Sequence, residues 1–299
     1  MPASNKFPDI PEDVTRLIFE IAAEDRAHRL VYPLVSKRVR SWAEPVIYRE
    51  VVVDTSYRFI HTINNQASSK PENFFALHVK SLFFDSIPPH FIAPIVEKCS
   101  SVLSLTIWST GYTLPEPNML TGLTGSAPRR LSLTVSAIAL QERHFSHPIF
   151  QEVTHLDVFC GDRDEDMAWA TLKGLKNLTH LSVQSHPGKQ HEQILCGIPA
   201  GLHVVVLYVS SEVQDDTKSV IKAIDAGQAD ERAVICLLWM AESLPSYREM
   251  LRHAIMPKSS VMTKWREFWE HPFTTTHFLW NEAEEVLEKR RKLKDNRKG

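Results

Sequence analysis

The sequence is poor in the residues that build phosphate-binding loops and metal sites. Only ten of its 299 residues are glycine, which leaves little material for a loop that wraps a phosphate group. The four cysteines, Cys99, Cys160, Cys196 and Cys236, include no closely spaced pair of the kind that holds zinc or exchanges disulfides. We therefore expect free thiols in a reducing compartment.

Long apolar runs and a strong net charge are also lacking. The longest apolar run, residues 233–241, has nine residues, against the roughly 20 that a membrane-spanning helix needs. The first residues show no apolar stretch after a basic start, so no secretory signal is predicted. A net charge of -2 predicts no broad attraction for nucleic acid or membrane. We expect a cytoplasmic and/or nuclear protein.

Local catalytic motifs are missing as well. The sequence contains no GxSxG, no GxxxxGK[ST] and no HExxH. Its acidic run GDRDEDM, residues 161–167, lacks the internal glycine and closing glutamate of a calcium loop, which favours a solvated turn. His186 and His191 lie in a Pro-Gly loop whose spacing defines no metal site. We predict a protein without catalytic activity and without a cofactor.

Three short helical patterns occupy the first fifty residues. Pro11 suits the first turn of a helix, and Glu12 and Asp13 complement its positive end. Pro33 interrupts the second pattern and is expected to shorten that helix. The apolar residues at helical spacing are Val14, Leu17, Ile18, Ile21 and Ala22, then Leu30, Leu34 and Val35, then Val39, Trp42, Ala43 and Val46. These stripes predict three helices around one small core.

Residues 10–51, IPEDVTRLIFEIAAEDRAHRLVYPLVSKRVRSWAEPVIYREV, resemble the F-box motif in the variant common in fungal F-box-like proteins. The resemblance implies docking onto the Skp adaptor of a cullin-RING ubiquitin ligase. The contacts it implies are Ile10, Pro11, Leu34, Val35, Ser36, Lys37, Trp42, Ile47 and Tyr48. Ser36 departs from the pattern, because many F-boxes have cysteine there. The alternative is that these helices only cap the domain that follows.

A strand pattern, apolar-x-x-apolar-x-apolar, recurs six times between residues 79 and 207. Its middle apolar positions are Leu82, Leu105, Leu131, Leu156, Leu181 and Val205, at steps of 23, 26, 25, 25 and 24 residues. A repeat of this length resembles divergent leucine-rich repeats, each of which adds one strand to a parallel sheet. The predicted class is therefore α/β: a three-helix N-terminal domain, an irregular leucine-rich-repeat-like solenoid and C-terminal capping helices.

The strand alternation assigns one side of this sheet to the core and predicts that the other is an exposed recognition surface. The predicted target-binding residues are Ser81, Phe83, Ser104, Thr106, Arg130, Ser132, His155, Asp157, His180 and Ser182. His155, Asp157 and His180 are close enough on neighbouring strands to suggest metal or acid-base chemistry, but a polar recognition surface is the favoured interpretation. The last strand is apolar on both faces, at Val204 and Val206, which predicts that the C-terminal region covers it.

Two amphipathic helices are predicted near the C-terminus, where they would close the open end of the solenoid. Their apolar positions are Trp265, Phe268 and Trp269, then Trp280, Ala283 and Leu287. The basic segment at residues 289–298 fits a nuclear localisation signal, a weak nucleic-acid contact or a frayed helix end. We divide the chain into residues 8–52, 53–240 and 241–299.

The resulting functional prediction is a substrate-recognition subunit of an SCF-type ubiquitin ligase. It would bind a Skp adaptor through the N-terminal helices and an unknown target through the repeat surface, and it would be monomeric outside its complex. The alternative is a leucine-rich-repeat-like scaffold unrelated to ubiquitination.

Overall fold

The computed structural model describes residues 10–65, 70–108, 120–123, 125–138, 140–160, 167–185, 189–209, 215–237, 245–255, 261–273 and 278–296. The described strands form one parallel sheet of eight, in which strand order follows chain order. The strands are β1 (Glu50–Val53), β2 (Ser81–Asp85), β3 (Ser104–Trp108), β4 (Arg130–Thr134), β5 (His155–Phe159), β6 (His180–Gln184), β7 (Val204–Val209) and β8 (Ala233–Leu237).

The helices surround this sheet. They are α1 (Glu12–Ala22), α2 (Lys37–Ile47), α3 (Arg58–Asn64), α4 (Phe74–His78), α5 (Ile92–Lys98), α6 (Lys189–Gly197), α7 (Asp215–Asp225), α8 (Pro245–Met250), α9 (Val261–Glu270) and α10 (Phe278–Asp295). Short 3-10 helices span Tyr32–Leu34, Pro89–Phe91, Thr121–Leu123, Val135–Ala137, Leu140–Glu142, Pro148–Phe150 and Trp169–Gly174. No helix in the described part of the chain is long and apolar enough to cross a membrane.

The predicted α/β class and all six predicted strands are confirmed. The six middle apolar positions lie in register across the sheet, from Leu82 paired with Leu105 to Leu181 paired with Val205. Their side chains are fully buried in the main hydrophobic core, so we call this side of the sheet the core face. The strand β1 was not predicted, because Glu50–Val53 directly follows the third helix and was assigned to the helical domain.

The N-terminal segment consists of α1, the 3-10 turn and α2. Pro33 lies in the first turn of the 3-10 helix, and the second helix is short as predicted. Ala23, Ala43 and Ile47 form the small buried cluster of this segment. The Tyr48 ring continues the contact into the body, where its centroid lies 5.6 Å from that of Phe74.

The helices α9 and α10 pack on the side of the sheet opposite to the core face. We call that side the opposite face. There, Phe268, Trp269, Trp280 and their neighbours form a second buried cluster with the apolar side chains of β7 and β8. The prediction that these two helices close the open end of the solenoid is therefore wrong. Ile255 pairs instead with the edge strand β8, where its amide donates to the Ile235 carbonyl at 2.8 Å.

The apolar helix positions predicted near the C-terminus belong to the core, with Phe268, Trp269, Trp280, Ala283 and Leu287 all buried. The side chain of Trp265 lies outside the described residues. Coverage of the last predicted strand is confirmed, since Val204 and Val206 are buried in the second cluster. The two C-terminal helices thus bury the apolar side chains that the strands place on the opposite face.

Candidate interaction surfaces

The apolar stripe of α1 points away from the rest of the protein. Leu17 is 55% exposed and Ile21 is 60% exposed, and Val14 and Ile18 beside them are exposed as well. No residue of α1 is buried. The spacing of these side chains puts them on one side of the helix, so the helix turns its apolar side to the solvent.

A second group of exposed apolar side chains follows in the turn and the 3-10 helix. Leu34 is 75% exposed, and Leu30, Val31 and Val35 are exposed beside it. Two contacts hold this region together, an ion pair between Glu12 and Arg38 and a hydrogen bond from Arg40 Nε to the Pro33 carbonyl at 3.3 Å. We call the exposed set the apolar N-terminal surface: Ile10, Val14, Leu17, Ile18, Ile21, Leu30, Val31, Leu34 and Val35.

Eight of the nine predicted adaptor contacts divide into three groups, and Tyr48 is the ninth. Ile10, Pro11, Leu34, Val35, Ser36 and Lys37 are exposed. Trp42 is half-buried beside the guanidinium of Arg38, which lies 5.5 Å from its ring centroid. Ile47 is buried in the small cluster with Ala43, so the prediction that it is a surface contact is wrong.

Two further positions have structural roles that the sequence pattern did not indicate. Tyr48 is turned toward the body among phenylalanine rings, and burial raises the pKa of its hydroxyl. Ser36 caps α2, because its hydroxyl oxygen accepts a hydrogen bond from the Val39 amide at 3.1 Å. Conversely, the α1 stripe at Val14, Leu17 and Ile18 was assigned to a core and belongs to the surface.

The predicted target-binding surface is covered. Seven of its residues are buried: Ser81, Phe83, Ser104, Thr106, Ser132, Asp157 and Ser182. Arg130, His155 and His180 are half-buried. The prediction of an exposed recognition surface is wrong for this conformation, because α9 and α10 lie on the opposite face. The alternation identified the correct side of each strand but not what packs against it.

A row of polar groups crosses the opposite face beneath these helices. The indole nitrogen of Trp108 donates to the Ser132 hydroxyl at 2.8 Å. Ser132 donates in turn to Asp157 Oδ2 at 2.7 Å, and Ser182 donates to Asp157 Oδ1 at 2.6 Å. Burial raises the pKa of Asp157 to about 7, and the two serine hydrogen bonds lower it only in part.

Two threonines at strand starts tie each unit to the preceding one. Thr154 Oγ1 donates to the Arg129 carbonyl at 3.0 Å, and Thr179 Oγ1 donates to the Thr154 carbonyl at 2.9 Å. Each hydroxyl oxygen also lies 2.8 Å from Nδ1 of the next residue, His155 or His180. Because a hydroxyl has one proton and the carbonyl takes it, the histidine Nδ1 must be the donor in each pair. This places a proton on Nδ1 of both imidazoles.

The two imidazoles stack on one another under α10. Their centroids are 4.4 Å apart with an interplanar angle of 3°, and Trp280 lies 4.8 Å from the His155 ring. Burial lowers the pKa of His155 to about 3, with help from the neighbouring His180 and Arg130. The His155 ring is therefore neutral near pH 7.

The outer nitrogen of His180 faces the cover helix. His180 Nε2 lies 3.2 Å from Glu284 Oε1. A hydrogen bond at this contact needs a proton on Nε2. Burial lowers the pKa of His180, whereas the Glu284 hydrogen bond acts to raise it.

These groups do not assemble a metal site. Asp157 bonds to serines and not to the histidine pair, and no group of three potential ligands is found among the residues that the structure describes. The acidic run at residues 161–166 and His186 lie outside those residues.

The basic segment at the end of α10 is largely paired. Lys292 lies 2.7 Å from Glu288, and Lys294 lies 3.5 Å from Glu231. Arg290 is buried and donates to the Ala233 carbonyl at 2.6 Å. Most of this segment is therefore helical and contacts the protein, through residue 295. No protein-family model matches the chain, and neither does any curated protein.

Proposed function

We propose that this protein is a substrate-recognition subunit of an SCF-type ubiquitin ligase and that it binds a Skp adaptor through the apolar N-terminal surface. The observation that carries the proposal is the outward-facing apolar stripe of α1. The F-box-like order of residues 10–51 supports the same proposal. Such a surface on a folded chain marks a site of association.

The alternative, in which the N-terminal helices only cap the domain that follows, predicts a different orientation of α1. A helix that only caps the body should bury its apolar stripe against it, and α1 leaves Val14, Leu17, Ile18 and Ile21 exposed. The contact with the body is made by Tyr48, whose ring packs against Phe74, whereas Ile47 is buried within the small N-terminal cluster. Covering a large apolar side chain completely contributes about 1.5–3 kcal/mol, so a partner that covers several of them gains appreciable affinity.

The direct test is co-elution of the full-length protein with a purified fungal Skp adaptor in size-exclusion chromatography, followed by titration. We expect a complex with the wild type. The double variant Leu17→Asp, Leu34→Asp should bind at least about 30-fold more weakly, because losing one central anchor typically costs about 2 kcal/mol. Both side chains are exposed, so the variant should keep its fold, which a thermal melt checks.

The matched control is Leu77→Asp, which alters an equally exposed leucine on α4, away from this surface. It should bind the adaptor as the wild type does. The proposal fails if the wild type does not co-elute, or if the double variant binds like the control.

A further inference from the structure

We propose that the opposite face over β1–β3 is a binding surface for an amphipathic helix of a target protein, and that α9 is its intramolecular occupant. The proposal rests on the proposed function, in that it gives the target a place to bind. It concerns other residues than the adaptor surface does, so each can be tested without the other.

The part of the opposite face that α9 covers is centred on one aromatic side chain. The helix packs on β1, β2 and β3, and Phe83 of β2 is buried in one cluster with Phe268 and Trp269. The guanidinium of Arg266 lies 5.5 Å from the Phe83 ring centroid and bonds Asp85 at 2.7 Å. An aromatic pair and an arginine therefore define what this surface accepts.

The fit beneath α9 is incomplete. Ser81, Ser104 and Thr106 lie on the covered face, are fully buried, and have hydroxyl groups without a hydrogen-bond partner among the described residues. A buried polar group without a partner is costly, and native interiors contain few of them. A helix with polar side chains at these points would satisfy the hydroxyls, which α9 does not.

The contact between α10 and the sheet differs in chemistry from that of α9. Over β7 and β8 the contact is apolar on both sides, because Val204, Val206 and Val234 share a buried cluster with Leu279 and Ala283. Beside it, the His155 and His180 rings of β5 and β6 lie against Trp280. The apolar contact suits permanent burial, whereas hydroxyls and an aromatic ring suit recognition by a partner. We therefore assign the exchangeable role to α9 and not to α10.

Polar contacts with β1 and β4 hold the segment that follows the C-terminal end of α9. His271 Nδ1 lies 3.0 Å from Glu50 Oε2, and the Phe273 amide donates to Glu50 Oε1 at 3.1 Å. Arg130 also donates to the Pro272 carbonyl. These contacts are lost when the helix leaves, so a partner must replace them as well as the apolar area of Phe268 and Trp269.

The chemistry of the partner follows from this occupant. We expect a helix with two adjacent aromatic residues and an arginine shortly before them, as in Arg266, Phe268 and Trp269. Asparagine, glutamine or serine side chains facing β2 and β3 would bond the hydroxyls of Ser81, Ser104 and Thr106.

The first test is hydrogen exchange in the full-length protein, read by mass spectrometry. Amides in residues 261–273 should exchange at least about 100-fold faster than those of β2–β4, because α9 opens without global unfolding. The amides of α10 are the internal control and should exchange as slowly as the strands. Equal protection of α9 and α10 would make α9 a permanent part of the core and overturn the proposal.

The second test uses a fluorescent synthetic peptide, VMTKWREFWEHPF, which is the sequence of residues 261–273. It should bind the full-length variant Arg266→Ala at least about tenfold more tightly than the wild type, because that variant holds its own helix less firmly. A peptide with both serine replacements, Phe268→Ser and Trp269→Ser, should not bind. Absence of binding to the variant, or equal binding of both peptides, would overturn the proposal.

Discussion

The buried carboxyl group of Asp157 is hydrogen-bonded to two serine side chains. Both oxygens accept hydrogen bonds from hydroxyls, Ser132 on one side and Ser182 on the other. Arginine and lysine are not among the groups that shift its pKa, and burial dominates. The native protein therefore holds a proton here that the unfolded chain releases at much lower pH.

This imbalance predicts a pH-dependent gain for Asp157→Asn. In the unfolded chain the carboxyl ionises near pH 3.9, and in the native state its pKa is about 7. Between these values the unfolded state is favoured as pH rises, so wild-type stability falls. The amide carries no charge. Its advantage over the wild type should grow by up to about 4 kcal/mol from pH 4 to pH 8.

Urea unfolding at several pH values measures this difference. The control is Asp54→Asn, an exposed carboxyl group whose pKa is lowered by its Ser56 hydrogen bond. It should show no gain that increases over this pH range. A constant difference between Asp157→Asn and the wild type from pH 5 to pH 8 would contradict the assignment.

The sequence could place Asp157 but not its environment. Strand alternation correctly predicted that Ser132, Asp157 and Ser182 share one face, since that depends only on residues within each strand. Whether that face meets water depends on helices more than a hundred residues later in the chain. The residue was therefore assigned to the solvent, and its raised pKa was not predicted.

At the scale of elements, threonine hydroxyls connect successive units of the sheet. The asparagine ladder of regular leucine-rich repeats is missing from the sequence. In this protein, Thr154 and Thr179 each lie directly before a strand and donate to the carbonyl of the residue directly before the preceding strand. The same hydroxyls orient His155 and His180, so these side chains stabilise both the unit boundary and the imidazole pair.

Replacing Thr179 by valine, which has nearly the same shape, should remove both contacts. We expect the free energy of unfolding to fall by about 1–2 kcal/mol, the usual cost of losing a buried hydrogen bond. Denaturant titration measures it. The control is Thr62→Val, which removes a hydroxyl bond on the exposed side of α3 and should stay within about 0.5 kcal/mol. A similar loss of stability in both variants would contradict the role of the Thr179 hydroxyl in connecting two units.

The elements differ in how far their sequence determined them. The strands were predictable because a 23–26-residue period fixes which residues pair. The orientation of α1 was not, because a single apolar stripe looks the same whether it meets a core or a partner. The strand β1 was missed for a local reason, since its four residues give too short a pattern.

At the scale of the whole molecule, the N-terminal helices and the segment after α9 meet at Glu50. His271 and the Phe273 amide bond its carboxylate, and Arg26, in the turn after α1, lies 3.8 Å away. Burial would raise the pKa of Glu50, but these hydrogen bonds and charges outweigh it and the pKa is lowered. One carboxylate thus connects the N-terminal helices, the first strand and the end of α9.

The variant Glu50→Gln should lower stability at pH 7 by about 2 kcal/mol, because charge-assisted hydrogen bonds contribute about 1.5–3 kcal/mol. A lowered native pKa gives stability that is present above the unfolded value and is lost as pH falls through the native one. The difference from the wild type should therefore shrink below about pH 4. Urea unfolding at pH 7 and pH 3.5 measures it.

Glu20→Gln serves as the comparison, because Glu20 is paired with Arg16 on the surface of α1. It should change stability by less than about 0.5 kcal/mol. If Glu50→Gln were equally mild at pH 7, the carboxylate would not join the N-terminal helices to the segment after α9.

The matching order of strands in the sheet and in the chain has a consequence for synthesis. Since β1 to β8 are neighbours in the order in which they are made, each strand can join the sheet as it leaves the ribosome, and no segment must thread past another. The helices α9 and α10 emerge after all eight strands. Until then the opposite face is exposed to water. Its serines, threonine and histidines interrupt the apolar surface that the growing sheet would otherwise present to other nascent chains.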